Sequence, residues 1–263
     1  MTAFGLIWLF TEPAALFFQL KFSFGWSGYF YLFTLAVIIG IIQTLPHLSM
    51  SRSLSSPDVE IEIKIGDIFN QAGHLVIGFN DVFDTEIGKI IKSSSVQGQF
   101  LQKIYKGKRL NLDADIDNEL NSYELLSVED HRKTIGKRRR YPIGTTITLG
   151  SYNRYYFLVA YGYMNPNLTV QSKVDDIWKS LSKLWEMVRL KGHASNISIP
   201  IIGTDLARTG IPRMVLVKLL IMSFVVASKE KFVTRKLTVM VFPDDVKSID
   251  WCALEDFLDS ACF

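Results

Sequence analysis

The run Ser198-Ile199-Pro200-Ile201-Ile202-Gly203-Thr204-Asp205-Leu206-Ala207-Arg208-Thr209-Gly210-Ile211-Pro212 holds residue types whose spacing suits a phosphate. A β-branched apolar run breaks at a glycine-bounded polar loop, and Pro212 then opens a long apolar stretch with helical spacing. A strand, loop and helix N-terminus joined in this way aim unpaired backbone N–H groups and the positive end of the helix dipole at one spot. Glycines at 203 and 210 let backbone approach a ligand closely. Geometry alone also produces Gly-bounded turns before Pro-started helices, so this motif is weak by itself. The two cysteines, Cys252 and Cys262, sit near the C-terminus in what reads as one helix, with no metal-ligand spacing around them. A reducing compartment is the simplest reading.

The elements that must position this loop follow from periodicity. Val59-Glu60-Ile61-Glu62-Ile63-Lys64-Ile65 alternates as a half-exposed strand and ends at Gly66-Asp67-Ile68-Phe69. Leu75-Val76-Ile77-Gly78-Phe79-Asn80 is a continuous apolar strand buried on both faces, ending at Asn80-Asp81. Val96, Phe100, Leu101 and Ile104 have helical spacing behind the caps Ser93, Ser94 and Ser95. Residues 145–149 and 154–161 read as strands separated by a turn, and 174–188 as an amphipathic helix whose Trp178 and Trp185 suit a core. Residues 212–227 are apolar nearly all round. Lys218 near their centre and the strand 237–242 after them argue for a buried helix of an α/β domain, and 246–263 close the chain as a last helix.

Apolar residues make up 48% of the 263-residue chain and concentrate in its first 45 residues. Residues 3–20 are apolar apart from Glu12 and Gln19, and residues 26–45 carry no charge. A bilayer core needs about 20 apolar helical residues, so two transmembrane spans are expected at about 3–20 and 26–45. Glu12-Pro13 kinks the first span, and its carboxylate marks either an imperfect anchor or a polar seam in an oligomer. The Ser-rich stretch 46–57 has linker composition, and 58–263 form the soluble domain. Two spans put both termini on one side of the membrane, and the lack of disulfides favours the cytoplasm for both. The basic run Arg132, Lys133, Lys137, Arg138, Arg139, Arg140 reads as a solvated face or as a site for anionic lipid headgroups. Aromatics are not interleaved with it, and a net charge of +3 is small, so nucleic acid is not an expected partner.

The order of these elements over 58–263 resembles the macro domain, an ADP-ribose-binding three-layer α/β/α sandwich with a mixed sheet. The resemblance implies that Asp67, with Ile68 beside it, accepts a hydrogen bond from an adenine amino group. The family's Ile-Val-Asn-Ala-Ala-Asn strand falls on Leu75 to Asn80, where only the last asparagine matches, and Asn80 would meet the distal ribose. Ser95, Val96, Gln97 and Gly98 would form the first phosphate loop. Gly203, Thr204, Asp205, Leu206, Ala207, Arg208, Thr209 and Gly210 would form the second, with Phe242 completing the ligand set. Asp205 departs from the family's usual glycine, and a carboxylate beside a pyrophosphate needs a counter-charge.

Two spans ahead of a divergent macro domain resemble the membrane effectors of type II Thoeris, a bacterial anti-phage defence system. That resemblance implies a signal-gated effector, not an enzyme, with no cofactor. Its ligand would be an ADP-ribose derivative, histidine-ADP-ribose, made by a partner TIR-domain enzyme. Binding would assemble a homo-oligomer and disrupt the lipid bilayer. Asp205 or Asp81 would then meet the positive part of the ligand. The alternative is a membrane-anchored ADP-ribosyl hydrolase, which needs a base among Asn80, Asp81 and Asp84, or a membrane-anchored ADP-ribose-binding module.

Overall fold

The computed structural model describes residues 12, 13, 17, 25–44, 49–203 and 210–262. They fall in two compact units, Met1–His47 and Leu48–Phe263. In the first unit, helix α1 (Gly25–Thr44) has 20 residues and no charge. Trp26, Phe30, Tyr31, Phe33, Leu35, Val37 and Ile38 are exposed along it.

Among the described residues no helix is long and apolar enough to cross a membrane, so the two expected spans are not borne out. The span expected at 3–20 lies outside the described residues save Glu12, Pro13 and Phe17. Where the second was expected, α1 opens with Gly, Trp, Ser and Tyr. Its strongly apolar part, from Phe30 to Ile42, reaches about 20 Å at helical rise, short of the ~30 Å of a hydrocarbon core.

The second unit is a three-layer α/β/α fold. Its strands are β1 (Ser49–Leu54), β2 (Val59–Ile65), β3 (His74–Asn80), β6 (Thr146–Ser151), β7 (Arg154–Met164), β8 (Val170–Gln171), β9 (Ile197–Pro200) and β10 (Lys236–Val241), and the main sheet runs β1-β2-β10-β9-β3-β7-β6 with β8 on β7. A separate two-stranded ribbon pairs β4 (Val128–Glu129) with β5 (Arg139–Arg140). Pairing is parallel from β2 through β10, β9 and β3 to β7, and antiparallel at β1–β2, β6–β7 and β7–β8. The sheet is therefore mixed, and the parallel strands β2, β10, β9 and β3 bring their carboxyl ends to one edge.

Two apolar layers follow from the period of two along each strand. Val76, Phe157 and Val159 face one side with Ile197, Ile199 and the helices α4 (Val174–Lys191), α5 (Arg213–Glu230) and α6 (Trp251–Ala261). Leu75, Ile77, Phe79 and Leu158 face the other with α2 (Val96–Lys103) and α3 (Arg109–Leu120). Trp185 is fully buried and donates from Nε1 to Ser223 Oγ at 3.0 Å, which ties α4 to α5. Cutting it back to Ala would cost about 3–5 kcal/mol. Trp178, expected in the same core, is 40% exposed.

Two further expectations change, and one helix is new. The linker 46–57 contains β1, which pairs in register with β2 and buries Leu54. Arg52 on that strand reaches Glu255 and Asp259 of α6. Arg109–Leu120, over which no element was expected, form α3, whose Leu112, Ile116 and Leu120 lie one turn apart and are buried. The last helix starts at Trp251, capped by Asp250, after a 3-10 turn Pro243–Ser248.

Candidate ligand cleft

At the carboxyl-terminal edge of the parallel strands lies a cleft of about 310 Å³. Such an edge is where open α/β sheets take their ligands, because chains diverge there and leave room. One wall is the start of α2: Lys92, Ser94, Ser95, Val96, Gln97 and Gln99. Ser95 is the N-cap, accepting from Gly98 N at 3.1 Å and donating to Lys92 O at 2.7 Å. This leaves the first-turn N–H groups of the cleft residues Val96 and Gln97 without a partner inside the helix, at an end where the dipole favours an anion. A Cβ at Gly98 would stand 2.4 Å from Lys92 O, so only glycine permits this tight approach.

The opposite wall is Pro200, Ile201, Ile202 and Gly203 after β9, joined by Phe242, Asp244 and Asp245 after β10. Gly203 adopts φ +92 and packs on Ile177 and Leu216, and Gly210 adopts φ +66. Asp245 pairs with Arg213 at 2.9 Å, at the start of α5. The floor is Gly78 of β3 and Tyr161 of β7. Burial pushes the Tyr161 hydroxyl up to about 12, so the phenol stays neutral.

Of the residues expected from the sequence, Ser95, Val96, Gln97, Gly203 and Phe242 meet in this cleft, with Gly98 directly behind. Thr204, Asp205, Leu206, Ala207, Arg208 and Thr209 lie outside the described residues. Asp67 caps the 3-10 turn Ile68–Asn70, accepting from Phe69 N at 2.9 Å, and forms an ion pair with Lys103. Burial raises its pKa, but Lys103 and the Phe69 N–H outweigh that and hold it below the usual carboxylate range. Ile68 is a core residue.

Asn80 is buried, and its Oδ1 accepts from Val82 N and Asp84 N, both at 3.2 Å, so its carbonyl end shapes the turn after β3. Asp81 does not face the cleft. It is buried, accepts from Met164 N at 2.8 Å and pairs with Arg140 at 2.6 Å. The cation expected from a ligand is already supplied by the chain. Asp84 is likewise held, by buried Lys133 at 3.0 Å and Lys137 N at 2.7 Å. Burial pushes both carboxyls upward, opposed by Met164 N–H and Arg140 for Asp81, and by Lys133 and Lys137 N–H for Asp84.

The basic run is thereby corrected as well. Lys133 and Arg140 point inward, Lys137 pairs with Asp113 and Asp117, Arg139 with Glu124 and Arg132 with Asp130. Lys133 and Arg140 are internal wiring, while Arg132, Arg138 and Arg139 are exposed, a solvated face in which Arg138 alone carries no ion pair among the described residues. Lys92, Tyr161, Asp244 and Asp245 are cleft residues that sequence reasoning did not find. A lysine in a loop, a tyrosine in a strand and acids after one carry no local signature.

The comparisons agree with this geometry. A family model described as "Thoeris protein ThsA, Macro domain" matches residues 61–242, more than half of the chain. The Thoeris protein ThsA of Bacillus amyloliquefaciens (strain Y2) is 26% identical over 234 residues, covering 85% of this chain and 76% of that protein. Among solved structures, the Oceanobacillus iheyensis macrodomain with MES bound superposes with a TM-score of 0.56 at 17% identity, over 81% of this chain and 97% of that one. A variant of that macrodomain with ADPR gives 0.54 at 16%, over 81% and 99%. At such identity these likenesses speak for the fold.

Proposed function

Because this chain belongs to the family of Thoeris ThsA macro domains, we propose that it is a signal-gated anti-phage defence effector whose second unit binds an ADP-ribose-derived ligand in the cleft. The observation that carries this reading is the cleft itself: the capped N-terminus of α2 and the turn 200–203 after β9 form two walls at the carboxyl ends of the strands. Such walls suit a pyrophosphate. Asp205 and Arg208 follow Gly203 closely in the sequence, and Asp205 is the remaining expected carboxylate to meet a positive group such as the histidine of histidine-ADP-ribose. A TIR-domain enzyme would supply that ligand.

Binding without turnover is favoured because the carboxylates near β3 are engaged. Asp81 and Asp84 are buried against Arg140 and Lys133, which leaves neither free to activate water. The first unit supports a seat at the bacterial inner membrane, since α1 is uncharged and exposes large apolar side chains on several sides. In this reading ligand binding drives self-assembly and membrane disruption through a higher affinity of the ligand for the assembled state.

The test is thermal unfolding of the protein with histidine-ADP-ribose, beside a search for released product. A rise in Tm with the ligand recovered intact supports the sensor. Turnover, or no shift at any ligand concentration, sinks it.

A further inference from the structure

The floor of the cleft carries an interaction that neither phosphate wall accounts for. Gly78 stands on β3 where the macro-domain strand pattern has alanine, and a Cβ there would lie 2.6 Å from Tyr161 Cε1 and 3.0 Å from Cδ1. Contacts that short are not tolerated, so the absence of a side chain at 78 is what makes room for the Tyr161 ring beside the strand. Both residues line the cleft. The Tyr161 ring packs toward the α4 and α5 layer, the same layer that Gly203 enters through Ile177 and Leu216. The Tyr161 carbonyl accepts from Ser172 Oγ at 2.8 Å, which pins the backbone, yet the hydroxyl has no hydrogen-bond partner among the described residues. Tyr161 is only partly buried and lines the cleft, so its hydroxyl is left to bond whatever occupies the cleft, water or ligand.

We propose that Tyr161 is a ligand-reading residue of this cleft, its hydroxyl donating to a phosphate oxygen of a bound nucleoside diphosphate, with Gly78 as the residue that makes room for its ring. The inference rests on the cleft being the ligand site. The phenol suits the task because it remains protonated: burial raises its pKa to about 12, and an adjacent phosphate would raise it further. A neutral donor fixed by packing adds a bond to the anion without the desolvation cost of a buried cation.

The experiment is calorimetric titration of the full-length protein in detergent with ADP-ribose and with histidine-ADP-ribose, comparing wild type, Tyr161→Phe and Gly78→Ala, with melting temperatures measured without ligand. Tyr161→Phe keeps the ring and removes a hydroxyl that bonds nothing in the protein. It is expected to weaken binding roughly tenfold while leaving the ligand-free Tm unchanged. Gly78→Ala displaces the ring and is expected to weaken binding at least as far. Wild-type affinity in Tyr161→Phe overturns the inference alone, as does a fall in its ligand-free Tm that accounts for lost binding. A wild-type protein that binds neither ADP-ribose nor histidine-ADP-ribose overturns the reading of the cleft and this inference with it.

Discussion

Replacing Arg140 by Met removes the cation that faces Asp81 and leaves a buried carboxylate with one backbone N–H for company. The cost expected is about 3–5 kcal/mol, read from urea unfolding of the wild type and Arg140→Met. Arg139, one residue earlier, pairs with Glu124 where both side chains are more than half exposed, at 51% and 61%. Arg139→Met should therefore cost no more than about 1 kcal/mol. Equal losses would show that burial does not govern this run. His74 makes a second residue-scale case. Its Nδ1 accepts from Tyr155 N at 3.1 Å, so the proton sits on Nε2 and is donated to Gly192 O at 3.0 Å. Burial depresses its pKa below 6.5, and the folded protein therefore binds fewer protons than the unfolded chain. Stability from this group is present above 6.5 and lost as pH falls from there toward the folded value. The stability–pH slope in that window should flatten in His74→Gln, and an unchanged slope would assign it elsewhere.

At the scale of elements, α2 and its cap decide the first wall of the cleft. Ser95→Ala removes the acceptor of Gly98 N and should cost about 0.5–2 kcal/mol in unfolding experiments, with ligand affinity falling in step. A variant that loses stability but keeps full affinity would separate the cap from the site. This wall was legible in the sequence because a serine cap before helical apolar spacing is a local signal. So were β2 and α4, whose periods are clean, and β3 and α5, whose apolar runs mark buried elements. The walls' partners were not. Asp81 and Asp84 read as available carboxylates, and Arg140 and Lys133 as surface charge, because pairing between residues about 50 to 60 positions apart leaves no trace in either neighbourhood. β1 was hidden by serines, although Met50, Arg52 and Leu54 alternate as a strand should. α3 was hidden by its four acids, although its leucines and isoleucine keep a four-residue spacing.

At the scale of the molecule, the two units divide the chemistry between them. Leu48–Phe263 holds the full sheet, both apolar layers and the cleft, so it contains every described element that the ligand reading uses. Met1–His47 contributes α1, uncharged and with Trp26, Phe30 and Tyr31 among its exposed side chains. Apolar surface of that extent in water is costly at roughly 25 cal/mol per Å², so it must be covered by lipid or by other protein. A chain shortened to Leu48–Phe263 should remain in the aqueous phase when floated with lipid vesicles, while the full chain rises with them. The shortened chain should keep the ligand-induced stabilisation, which at a hundredfold excess over Kd is about 2.7 kcal/mol. If the shortened chain still floats, the membrane contact belongs to the second unit and the division fails. If it no longer responds to ligand, sensing requires the first unit, and the cleft as described is incomplete.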